Sequence, residues 1–128
     1  MTQEEKELLT KDIFDRVLTG LKVDYNGQTF TLGYNLYLED GNVAFESYPM
    51  KFYLEKIETI KPYLRPMLSM TEEEEKEVRI LWNEEFVDKR SIYHCYPKTT
   101  DFYNKHHFDY RGLIEKGLAL EAPEGMYE

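Results

Sequence analysis

From Leu21 to Phe45 the apolar residues favour every second position, and two Xaa-Gly pairs, Asn26-Gly27 and Asp40-Gly41, punctuate the run. A period of two lines up side chains on one face of an extended chain. Asn-Gly suits the type I′ turn, whose two central residues both need positive φ. A two-residue loop pairs Tyr25 with Gln28, and so sets Val23 opposite Phe30 and Leu21 opposite Leu32. The second turn likewise pairs Leu38 with Val43 and Leu36 with Phe45. On the inward face apolar meets apolar, as cross-strand packing requires. The pattern predicts an antiparallel meander of strands at about 21–25, 28–38 and 42–46, with Gly33 marking a bend.

Helical periods flank the meander. Leu9, Ile13 and Val17 recur every fourth residue, widened by Leu8, Phe14 and Leu18. Thr2 and Glu5 have capping-box spacing and Gly20 can end the run, so a helix is expected over 3–18. A second is expected over 71–88, with Thr71 as N-cap and Glu74 at the capping-box position. Glu72 to Glu75 suit the positive end of its dipole, and Lys89 and Arg90 the negative end. Val78, Leu81, Trp82 and Phe86 would form its apolar stripe. Residues 51–58 fit either a strand at about 52–57 or a helical turn, because the run is too short for periodicity to separate them. Pro62 and Pro66 make a stiff extended connector, 92–96 reads as a short strand, and 99–107 as a helix. With no repeat and no linker, the 128 residues fit a single α+β domain, its antiparallel sheet packed by helices at both ends.

Charge narrows the function classes. Twenty-five acidic against 16 basic residues leave a net charge of −9. Phosphate backbones are held by Lys and Arg that displace counterions, so general nucleic-acid binding is not expected. A basic protein partner is compatible, as is an acidic imitation of nucleic acid along residues Glu72 to Glu85. The single cysteine, Cys95, cannot form an internal disulfide, and the N-terminus lacks the apolar core of a signal peptide. No apolar run reaches the ~20 residues of a membrane span. The expectation is a cytoplasmic protein with no membrane attachment.

The stretch HHFDYRGLIEKGLALEAP, His106 to Pro123, concentrates the polar chemistry. Asp109 is placed to cap a helix over 110–116, and Lys116 lies in its last turn. Gly117 can take the left-handed position of a Schellman stop in which Leu118 touches Leu113. So short a helix must dock, through Tyr110, Leu113, Ile114 and Leu118. His94, Cys95, His106 and His107 could supply zinc ligands, but adjacent pairs do not match zinc spacings. A Cys95–histidine nucleophile pair has no local signature, and no P-loop, dinucleotide fingerprint or nucleophile elbow is present. No metal, cofactor or catalytic residue is expected. His107, Phe108, Tyr110 and Arg111, with Trp82 if exposed, are the candidate partner-binding residues, since Trp, Tyr and Arg anchor interfaces. Thr2, Thr71, Asp109 and Gly117 are candidate structural caps.

Three segments carry a family resemblance: Lys61-Pro62-Tyr63-Leu64-Arg65-Pro66, Ser69-Met70-Thr71-Glu72-Glu73, and the run from Phe108 to Leu118. They resemble segments of uncharacterised small proteins of gut anaerobic bacteria and their phages or other mobile elements. The resemblance spans roughly the second half of the chain. It implies a phage or mobile-element accessory protein acting inside a bacterial host cell, and it transfers no reaction and no catalytic residue. The resulting expectation is a non-enzymatic protein-interaction module. The alternatives are a small enzyme with a His/Asp site near 106–111, an acidic nucleic-acid mimic, and a small assembly subunit.

Overall fold

In the computed structural model, which describes residues 1–32, 37–39, 42–47, 51–87 and 97–127, the chain folds as an α+β structure with two sheets. Strands β1 (Lys22–Tyr25) and β2 (Gln28–Thr31) pair in the anticipated register, Val23 opposite Phe30 and Tyr25 opposite Gln28. Asn26 and Gly27 both take positive φ, 52° and 77°, as the turn requires. The Leu32 N–H donates to the Leu21 carbonyl at 2.8 Å, extending the hairpin by one step. Strands β3 (Tyr37–Glu39) and β4 (Asn42–Ser47) pair with Leu38 opposite Val43, again as expected. The Asp40-Gly41 turn, Gly33, Leu36, Lys89, Arg90 and the 92–96 strand lie outside the described residues.

The three predicted strands do not share one sheet. The first hairpin belongs to a sheet ordered β2-β1-β6-β7, whereas β3 and β4 pair with β5 (Lys51–Lys56) in a separate antiparallel sheet. The 28–38 strand is therefore two strands, one in each sheet. The partner of β1 is β6 (Ile60–Leu64), the segment read from sequence as a connector. Proline removes a ladder donor, which disguised this strand, yet its φ is compatible with extended backbone. Ile60, Pro62 and Leu64 are all buried, with Pro62 opposite Val23. Strand β7 (Leu120–Glu121) runs parallel to β6 on its other side.

Helix α1 spans Gln3–Asp15, closed at its start by the reciprocal Thr2–Glu5 capping box. A 3₁₀ turn, Val17–Thr19, carries it to Gly20 at φ 72°, so the α-helical part is shorter than 3–18. Helix α2 spans Glu72–Val87 and α3 spans Pro97–Lys105, two residues earlier at both ends than expected. The core joins Leu9 and Ile13 of α1 to Leu21, Val23, Ile60 and Leu64 of the sheet, and to Leu113 and Leu118 of the C-terminal segment. The expected helix over 110–116 does not form. Gly112 sits at φ 73°, a left-handed conformation that an α-helix cannot contain, and the segment is a series of turns.

Candidate functional site

Two reversals of the chain build the 106–118 corner. At the end of α3 the Phe108 N–H donates to the Tyr103 carbonyl (2.9 Å) and the His107 N–H to that of Asn104 (3.2 Å). This is the Schellman pattern, with His107 in the left-handed position at φ 64°. It recurs ten residues on: the Leu118 N–H donates to Leu113 (2.9 Å), the Gly117 N–H to Ile114 (3.0 Å), and Gly117 has φ 75°. Each stop drives the next residue, Phe108 or Leu118, into the interior. Asp109 lies between them. Its carboxylate accepts the N–H groups of Leu113 (2.8 Å) and Ile114 (3.0 Å), capping the second turn rather than a helix starting at Tyr110.

The corner is tied to α1 by an ionic knot that sequence reading did not anticipate. Asp12 and Arg16 are both completely buried, at helical spacing within the Leu9–Ile13 stripe. Arg16 donates twice to Asp12 (3.0 Å each) and once to the Phe108 carbonyl (2.6 Å). Arg111 donates to Asp12 (2.6 Å) and to Asp15, and stacks over Tyr110 at 4.6 Å. The Tyr110 hydroxyl in turn donates to the Asn104 side chain (2.9 Å). A carboxylate flanked by two arginines is compensated by several charge-assisted hydrogen bonds, which is what makes its burial tolerable. The detectable signal was an Asp–Arg pair spaced by four inside an apolar stripe.

His107 and His106 face opposite situations. His107 is buried, its ring stacked on Tyr127 at 3.6 Å and 16°. Burial, with Arg16, His106, Arg65 and Lys22 around it, lowers its imidazole to about 4, so it is neutral at physiological pH. Its Nδ1 and the Nη1 of Arg16 are buried without a hydrogen-bond partner among the described residues. The Tyr127 hydroxyl accepts from the Lys22 N–H (2.9 Å) and donates to the Tyr63 carbonyl (2.7 Å), standing where β1 and β6 part. Burial pushes that phenol up to about 12.

His106 is half-exposed, its ring 4.3 Å from that of Phe102 and its Nδ1 3.6 Å from Glu74. Glu74 closes the capping box of α2 with Thr71 and receives two bonds from Arg65, at 2.9 and 2.8 Å. Those arginine bonds hold its carboxyl down at about 2, against the effect of burial. Arg65 also lies over the Phe108 ring at 4.2 Å. Beside this array opens a cleft of about 640 Å³, between the start of α2, His106 and the 121–127 segment.

The structure thus gathers His107, Phe108, Tyr110 and Arg111 at one corner, but as buried or half-buried parts of the framework. Trp82 stands apart, half-exposed, about 12 Å further along α2 than Glu74 at the helical rise. Arg65 and Tyr127 of the cleft were not anticipated as site residues. His94 and Cys95 lie outside the described residues. Among those described, no three His, Cys, Asp or Glu side chains converge as metal ligands, and no helix is long and apolar enough to cross a membrane. No family model, curated protein or solved structure matches the chain.

Proposed function

We propose that this chain is a non-enzymatic protein-interaction module of phage or mobile-element origin, which recognises a basic partner through the outward side of α2 and the turn before it. The observation that carries the reading is exposure: Leu68 is 99% exposed and Ile80 59%, whereas Trp82, 49% exposed, lies two positions from Ile80 and so about 160° round the helix, off this side. Along α2, Glu73, Glu77, Ile80 and Glu84 recur at three- and four-residue spacing on one side, all exposed. Apolar side chains left in water among carboxylates suit a partner that offers an apolar seat ringed by Lys and Arg. The 107–111 groups are engaged in the framework, which weakens the case for a His/Asp catalytic pair: both Asp109 oxygens accept backbone N–H groups. Lys76 and Arg79 interrupt the acidic surface of α2, which weakens the nucleic-acid mimic.

The test is capture from a bacterial host lysate followed by mass spectrometry, with Leu68→Glu, Ile80→Glu and Lys116→Ala run in parallel. One stoichiometric partner should be retained by the parent chain and by Lys116→Ala, and lost by about tenfold or more with Leu68→Glu or Ile80→Glu. A partner held equally by those two variants, or a co-purifying metabolite with no retained protein, overturns the reading.

A further inference from the structure

The cleft beside Arg65 and Glu74 has a chemistry of its own. Tyr127 is part of its lining, with one ring face flat against His107 and its hydroxyl pinned between Lys22 and Tyr63. His106, packed on Phe102, forms another part of the lining. Arg65 contributes little free positive charge, because its guanidinium is held bidentately by Glu74 and lies over Phe108. Glu121 and Glu124 line the cleft, are exposed, and join no ion pair among the described residues.

We propose that this cleft binds an organic cation, a guanidinium before an ammonium, presented by the basic partner. The inference rests on the recognition reading for the source of the cation and supplies the chemistry by which that partner is read. An aromatic wall with two uncompensated carboxylates attracts a cation, and a planar, weakly hydrated guanidinium can both stack and bond bidentately. An anion would meet Glu121 and Glu124. A divalent metal would lack its ligand set, since no three suitable side chains converge among the described residues.

The experiment is an NMR titration of the His106 and Tyr127 ring resonances with N-acetyl-arginine methylamide, with the lysine and glutamate analogues in parallel. The arginine probe should give saturable shifts with a Kd on the order of tens of millimolar, as expected for an exposed ion pair plus one cation–π contact. The lysine probe should bind a few-fold more weakly and the glutamate probe not at all. Glu121→Gln/Glu124→Gln should abolish the shifts without changing the melting temperature, because no ion pair is removed. Shifts caused by the glutamate probe, shifts indifferent to the double variant, or none with any probe would overturn the proposal. If no probe binds while capture still depends on Leu68 and Ile80, only the cleft assignment fails. If the arginine probe binds while no partner is captured, the cleft stands as a small-cation site and the recognition reading fails.

Discussion

The two Schellman stops use the same pair of backbone hydrogen bonds, yet one places glycine and the other histidine in the left-handed position. At Gly117 nothing lies within 4 Å of where a Cβ would be, so the glycine answers only to backbone conformation. At His107 an L-residue accepts a left-handed φ of 64°, a conformation costing roughly 1–2 kcal/mol. The imidazole is held there by Tyr127, and the next carbonyl, that of Phe108, by Arg16. The first stop is therefore maintained by distant parts of the chain, the second by its own residues together with the Asp109 cap. A histidine in an unusual conformation, buried and uncharged, invites a catalytic interpretation. Here the Tyr127 stack and the Arg16 bond to the next carbonyl account for its conformation.

Asp12 carries the largest share of the first stop's support. Asp12→Ala leaves the Arg16 and Arg111 guanidiniums without their shared carboxylate, and should cost about 3–5 kcal/mol by urea unfolding. Amide exchange at His107 and Phe108 should accelerate more than at Leu118. If both stops loosen equally, the asymmetry is wrong.

Acid comes next. Folding holds His107 at about 4, below its ordinary value, so the unfolded chain binds this proton more readily. Stability is therefore unaffected by this proton above about pH 6.5 and declines as pH falls toward 4, by about 3 kcal/mol in all. His107→Asn tolerates the left-handed backbone and does not titrate, so its urea midpoint should lack that component of the acid decline. Glu74 loses its own contribution only below about 4.5, and should do so equally in both proteins.

Smaller effects sharpen the contrast between the stops. Gly117→Ala should destabilise by about 1–2 kcal/mol through backbone conformation alone. Tyr127→Phe removes the bonds to Lys22 and Tyr63, and should cost about 1–2 kcal/mol in thermal unfolding while keeping the ring on His107. His107→Gly relieves the left-handed strain but forfeits the ring stack and empties a buried site, and should cost about 1–2 kcal/mol in all. A loss as large as that of Asp12→Ala would mean that the imidazole does more than hold Tyr127.

What the sequence determined by itself is local. The Asn26-Gly27 turn and its register, the Thr2 and Thr71 capping boxes, and the Gly117 stop with its Leu113–Leu118 pair were all readable, since each depends on φ preferences and hydrogen bonds within a few residues. Tertiary structure alone decided that β6 rather than a third meander strand lies beside β1, that Gly112 breaks the expected helix, and that Asp12 and Arg16 are interior. It also set Arg111 on Asp12, Arg16 on Phe108 and Tyr127 on Lys22, contacts joining residues 99, 92 and 105 positions apart. An Asp–Arg pair one helical turn apart contributes little in water and a great deal when water is excluded. Which of these holds depends on what packs over the helix, and that is settled by parts of the chain far away in sequence.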